Sequence, residues 1–118
     1  MSGLVIEVTS QAKPEIKLRD QKGLNFPASK LPFPSLTEKD LVDLDFVARH
    51  GDLVGFSFVR SPEDVICVQE ELRKRSAEHL GLLLKIETTP AFNDLGRLLL
   101  TAMRSERVGL MVARGDMA

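Results

Sequence analysis

Gly81-Leu82-Leu83-Leu84-Lys85-Ile86-Glu87-Thr88-Thr89 is an apolar run that closes on a cation and an anion two residues apart. Side chains along a strand alternate faces, so Lys85 and Glu87 share one side while Leu82, Leu84 and Ile86 share the other. A nearly continuous apolar run suits a strand buried in a parallel sheet, and in barrels of that class reactive groups collect at the carboxyl ends of the strands. Lys85 and Glu87 occupy that end. By itself the pair also fits a solvated strand terminus with a weak ion pair, so the flanking segments decide.

Upstream, Thr37-Glu38-Lys39-Asp40 has the form of a capping box, with Leu41, Leu44, Val47 and Ala48 following at helical spacing. The predicted helix stops at His50-Gly51, where Gly51 suits a left-handed stop and His50 answers the helix dipole. Leu53 to Val59 reads as a strand by its β-branched and aromatic content, with Phe56 and Phe58 on one face and Gly55 and Ser57 on the other. Ser61-Pro62-Glu63-Asp64 starts a second helix, with Ser61 as cap, Asp64 reaching back, and Val65, Val68 and Leu72 as the buried stripe. The basic run Arg73-Lys74-Arg75 falls in its last turns, where it reads as a solvated helix end.

Downstream, Thr89-Pro90 opens a third helix carrying Phe92, Leu95, Leu99 and Ala102 on one face, and Val108 to Ala113 returns as a strand. Strands alternating with helices imply βαβ units, parallel pairing and right-handed crossovers. The predicted fold class is therefore α/β. No Gly-rich phosphate fingerprint follows any strand, which favours a segment of a (β/α)8 barrel over a dinucleotide-binding sheet. At the amino end, Leu4 to Thr9 and Ile16 to Arg19 read as a short β piece, followed from Gly23 to Pro34 by an extended connector with three prolines.

Composition narrows the partners. At 118 residues, 43% hydrophobic and 28% charged, with a net charge of −1, the sequence has ordinary globular character and no long-range pull toward nucleic acid or anionic membrane. The single cysteine, Cys67, cannot form an internal disulfide or a zinc site. No apolar run approaches the roughly 18 residues of a membrane span, and Met1-Ser2-Gly3-Leu4 lacks the charged and apolar regions of a signal peptide, so a cytoplasmic location is expected.

The last strand runs into Arg114-Gly115-Asp116, which puts Asp116 at the same carboxyl end as Glu87. Hard divalent cations take oxygen ligands, commonly one or two carboxylates completed by substrate and water. Glu87 and Asp116 are a candidate pair, and Lys85 is placed to meet negative charge developing on a phosphoryl group or an enolate. Spacing alone does not separate this from other metal-dependent barrels.

Five stretches in order carry a more specific likeness: Lys22-Gly23-Leu24-Asn25-Phe26-Pro27, Leu36-Thr37-Glu38-Lys39-Asp40, Ser57-Phe58-Val59-Arg60, Lys85-Ile86-Glu87 and Val112-Ala113-Arg114-Gly115-Asp116. Together they resemble the successive signatures of pyruvate kinase. The resemblance implies that residues 1–22 end a small inserted β domain with its return linker and that 23–118 form a central arc of the barrel. It further implies Lys85 as the catalytic lysine, Glu87 and Asp116 as ligands of Mg²⁺ (or Mn²⁺), and Gly115, Asp116 and Lys85 as substrate contacts. Ser57, Thr88 and Arg114 are further site candidates; the family usually has Asn where Thr88 stands and Gly where Ala118 stands. K⁺ is implied for the whole enzyme, with its ligands outside this chain. Phosphoenolpyruvate/pyruvate and ADP/ATP are the implied substrates, and a homo-oligomer the implied assembly.

Two other readings stand beside it: a different Mg²⁺-dependent barrel acting on pyruvate or an enolate, such as an aldolase or lyase, and a truncated segment without catalysis. A barrel closes with eight strands and this sequence supplies about three, so the inner face made by Leu83, Val112 and their neighbours is expected to lack a covering layer.

Overall fold

The computed structural model describes Glu7 and residues 32–115. The β piece expected at 4–9 and 16–19, the connector before Pro32, and Asp116 lie outside the described residues; Glu7 itself is exposed and belongs to no strand. The element order is α1 (Glu38–His50), β1 (Leu53–Phe56), α2 (Pro62–Lys74), β2 (Gly81–Ile86), α3 (Thr89–Asn93), α4 (Leu95–Ala102) and β3 (Val108–Val112). The strands form one sheet in the order β1-β2-β3, with both neighbouring pairs parallel.

Register sorts the side chains into two faces. Val54 pairs with Leu82 and Phe56 with Leu84, while Leu82, Leu84 and Ile86 pair with Val108, Leu110 and Val112. This set faces the helices: Leu82, Leu84 and Ile86 are fully buried and share a core with Val65, Val68 and Leu72 of α2 and Leu98 and Ala102 of α4. Gly55, Leu83 and Gly109 line up on the other face, with Lys85 beside Met111. That face carries no helix layer among the described residues; Leu53 and Met111 are exposed on it. Val112, expected beside Leu83, belongs instead to the helix-facing set, because it pairs with Ile86. It is nonetheless 41% exposed, since nothing described beyond β3 covers it.

The helix caps follow local chemistry, with corrections. Thr37 and Asp40 form the expected capping box on α1. Gly51 is extended (φ −93°) rather than left-handed, and its role is clearance: a Cβ there would meet the Val47 carbonyl oxygen at 2.9 Å. Ser61 makes no side-chain cap bond on α2. Asp64 reaches one residue further back, where Oδ2 accepts from the Arg60 amide (2.9 Å) and Nε (3.0 Å) and Oδ1 accepts from Nη2 (3.1 Å). The fixed fork of the guanidinium makes this two-oxygen pairing the better partner. Ser35 Oγ also donates to Asp64, and Arg60 Nη1 donates to the Phe33 carbonyl at 3.1 Å, tying the segment before α1 to the start of α2.

The expected third helix is two: Thr88 caps α3, and Asp94 breaks the chain before α4. Its buried stripe is Ala91, Leu98 and Ala102, whereas Phe92 and Leu99 point outward. The Gln69 side-chain amide on α2 donates to the Thr101 and Ala102 carbonyls (3.3 Å each) and to Ser105 Oγ (2.9 Å), holding the end of α4. No helix among the described residues is long and apolar enough to cross a membrane.

Asp64 provides a test of this frame. Burial pushes its carboxyl up, but the hydrogen bonds from Arg60 and Ser35 outweigh that and hold it below its ordinary value of 3.8. A depressed carboxyl contributes stability above its unfolded value and loses it as pH falls through the folded one. Asp64→Asn should therefore cost about 1.5 kcal/mol at neutral pH by weakening the charge-assisted bonds from Arg60, whose guanidinium also reaches solvent and the Phe33 carbonyl. The gap to the parent should narrow below pH 3.8. Urea unfolding at pH 7 and pH 3 (on the order of one unit below) reads both; equal gaps would contradict the pairing.

Candidate functional site

The carboxyl end of β2 is built by alternation. Lys85 points to the open face, Ile86 into the core, and Glu87, directly after the strand, returns to the Lys85 side. Lys85 Nζ lies 2.7 Å from Glu87 Oε1, with the lysine side chain 29% exposed and the glutamate 3%. The pair thus has a buried anion and a cation that still reaches solvent.

β1 supplies the rest. Phe56 pairs with Leu84, so the next residue, Ser57, stands beside Lys85, and Lys85 Nζ donates to Ser57 Oγ at 3.0 Å. The strand was expected to continue to Val59; instead it ends at Phe56, and Ser57-Phe58 forms a turn in which Phe58 has φ 53°. Phe58 therefore does not share the buried face of Phe56 and is 51% exposed. A left-handed conformation costs a bulky L-residue about 1–2 kcal/mol. What it achieves here is orientation: the Phe58 amide donates to Glu87 Oε2 at 2.7 Å. Both carboxylate oxygens are thereby held, one by an ammonium and one by a backbone N–H, a short charge-assisted arrangement.

The remaining candidates separate. Thr88 caps α3, its Oγ1 accepting from the Ala91 amide at 3.3 Å, which gives that hydroxyl a local task. Ala113 N donates to Ile86 O at 2.9 Å, so the chain leaves β3 level with Glu87; Arg114 and Gly115 follow there, both exposed. Asp116 lies outside the described residues. Among the described residues no group of three or more His, Cys, Asp or Glu side chains is gathered to hold a metal. Glu87 still fits a hard divalent cation by chemistry: it offers oxygen alone, and a carboxylate has acceptor capacity beyond its two present bonds. A cavity of about 370 Å³ lies beside α1 and β1 among Leu44, Val47, Val54 and Phe56; Ser57 and Phe58 border it, whereas Lys85 and Glu87 do not.

The Phe58 amide is the contact that sequence reasoning misses. An aromatic residue carries no signal for a left-handed turn, and a backbone donor carries none at all.

With this geometry in place, comparison with known proteins is decisive. The family model described as "Pyruvate kinase, barrel domain" matches residues 3–118. The chain belongs to the pyruvate kinase family. It is 39% identical over 101 residues to a pyruvate kinase from Geobacillus stearothermophilus, covering 85% of this chain and 16% of that protein. A pyruvate kinase from Staphylococcus saprophyticus is 34% identical over 102 residues, covering 86% and 17%. One from Staphylococcus aureus is 33% identical over 123 residues, covering 97% and 20%. The chain thus spans a fifth or less of the length of these curated relatives. Its parallel strands and one-sided helix layer are an arc of an α/β barrel, and the open face bearing Lys85 is the side a closed barrel turns inward.

Glu87→Ala should remove the anchor of both Lys85 Nζ and the Phe58 amide, costing about 2–3 kcal/mol, as expected for buried bonds to a charged group. Denaturant unfolding of the two proteins side by side measures it; a difference under about 0.5 kcal/mol, the level of an ordinary surface change, would show that neither bond bears on stability.

Proposed function

We propose that this segment supplies part of the catalytic centre of a pyruvate kinase, which moves the phosphoryl group of phosphoenolpyruvate onto ADP to give pyruvate and ATP. The observation that carries the reading is the Lys85 ammonium held at the carboxyl end of β2 between Glu87 and Ser57, within a match to the family's barrel domain. That match favours this reading over an aldolase or lyase.

In the reaction the bond between phosphorus and the enol oxygen breaks, a new bond forms to the terminal oxygen of ADP, and the enolate left behind takes a proton on carbon. Negative charge grows on the phosphoryl oxygens and the enolate during transfer, and Lys85 is assigned to meet it. An ammonium already fixed by two acceptors needs little reorganisation at that moment. Glu87 and Asp116 are assigned to hold Mg²⁺ (or Mn²⁺), which when bound polarises phosphoryl and enolate oxygens as a Lewis acid. The amides of Gly115 and Asp116 are assigned to the substrate carboxylate. K⁺ belongs to the same proposal, with no ligand assigned among these residues. Residues 1–22 are assigned to the end of an inserted β domain and 23–118 to the barrel, in a cytoplasmic homo-oligomer.

A complete barrel is needed to test this, so the matching 101 residues of the Geobacillus stearothermophilus relative can be exchanged for those of this chain. In that chimera Lys85→Met should lower kcat by about 10²–10³, the scale of losing one transition-state donor; a drop below about threefold would remove Lys85 from the chemistry. Glu87→Gln should raise the Mg²⁺ concentration needed for half-maximal rate while leaving the KM for ADP nearly unchanged, and an unaltered metal requirement would reject the ligand role.

The polypeptide of 118 residues by itself should show no ADP-dependent pyruvate release and should self-associate, because among the described residues β1 and β3 have no outer neighbour and nothing covers the Leu83 face. Sedimentation as a compact monomer, or turnover by this polypeptide alone, would contradict that expectation.

A further inference from the structure

We infer that Ser57 is a positioning residue for Lys85, acting through its hydroxyl and through the turn it forms with Phe58. The inference rests on the proposed role of Lys85 and extends it to a residue on the neighbouring strand.

Lysine has three N–H donors and a flexible stem, so a single partner leaves its ammonium free to swing. Glu87 alone would fix the distance of Nζ from the carboxylate but not its direction about it. Ser57 supplies a second anchor. Its Oγ accepts from Nζ at 3.0 Å across the β1–β2 seam while Glu87 Oε1 lies at 2.7 Å, so two of the three donors are directed and the third is aimed by tetrahedral geometry. The partner's neutrality matters as well. A hydroxyl fixes the ammonium without adding negative charge, so the positive field stays available to an incoming anionic oxygen; a second carboxylate would cancel it.

The turn makes both contacts possible together. Because β1 stops at Phe56 and the chain bends at Phe58 with φ 53°, Ser57 Oγ meets Lys85 while the following amide meets Glu87 Oε2 at 2.7 Å. One dipeptide on β1 thus addresses both charged groups on β2. Ser57 takes no part in the helix-side core, so its hydroxyl can be removed without opening a void there.

The test is a double-mutant cycle in the chimeric barrel. Ser57→Ala should lower kcat about tenfold, the scale of one hydrogen bond to a charged group, with the KM for ADP unchanged. Ser57→Thr, which keeps the hydroxyl, should restore most of the rate. In a Lys85→Met background Ser57→Ala should change kcat less than twofold, because the residue acts only through the lysine. A loss under twofold in the parent, a loss shared equally by Ala and Thr, or the same tenfold loss without Lys85 would each overturn the inference. A small effect of Lys85→Met itself, or an inactive chimera, would instead overturn the proposed function, and this inference with it.

Discussion

The parallel register of β1 against β2 is the constraint from which the rest follows. Pairing Phe56 with Leu84 places Val54 and Leu82 on the helix side and Gly55 and Leu83 on the other, and it brings the residue after β1 beside Lys85. A slip of one residue would turn Leu82, Leu84 and Ile86 out of the core, so hydrophobic burial itself fixes which side Lys85 takes. The charged pair contributes little to that choice; it occupies the position that apolar packing leaves to it.

The same constraint explains the two characters of the sheet. The helix side is closed by α2 and α4, whose buried residues meet those of β1 and β2 in one core. The opposite side holds small residues, Gly55, Ser57 and Gly109, around the longer Leu83 and Lys85. In a closed barrel inward positions of neighbouring strands crowd together, and small residues leave room for a long cation to extend toward the mouth.

Much of this was legible in the residues. Alternation along Leu82-Leu83-Leu84-Lys85-Ile86-Glu87 sufficed to put Lys85 and Glu87 on a common side, because a buried strand has a strict period of two. The α1 capping box and the α2 stripe were readable for similar reasons of local chemistry. Tertiary preferences hid the rest. Asp64 bypassed Ser61 because a guanidinium three-dimensionally close outcompetes a helix cap, and the stripe of α4 rotated to Leu98 once Asp94 interrupted the helix. Phe58 adopted a conformation its type disfavours, since the gain lies in an amide reaching a carboxylate 29 residues away. Asp116 lies outside the described residues, so its convergence with Glu87 rests on chain order alone.

The Gln69 amide shows how this frame limits what can replace a side chain. Its nitrogen faces two carbonyl oxygens and a serine hydroxyl at the C-terminal end of α4, where the Thr101 and Ala102 carbonyls also accept from the Arg104 and Ser105 amides in a tightened last turn. Shape is therefore a poor guide to tolerance here. Glutamate has nearly the same outline as glutamine, yet it would set a negative oxygen against two carbonyl oxygens, and it is the less acceptable exchange for that reason. Lysine or arginine, though larger, brings donors only, and at this half-buried position could satisfy the same acceptors. Sequence divergence at this junction between α2 and α4 should follow donor count more closely than volume.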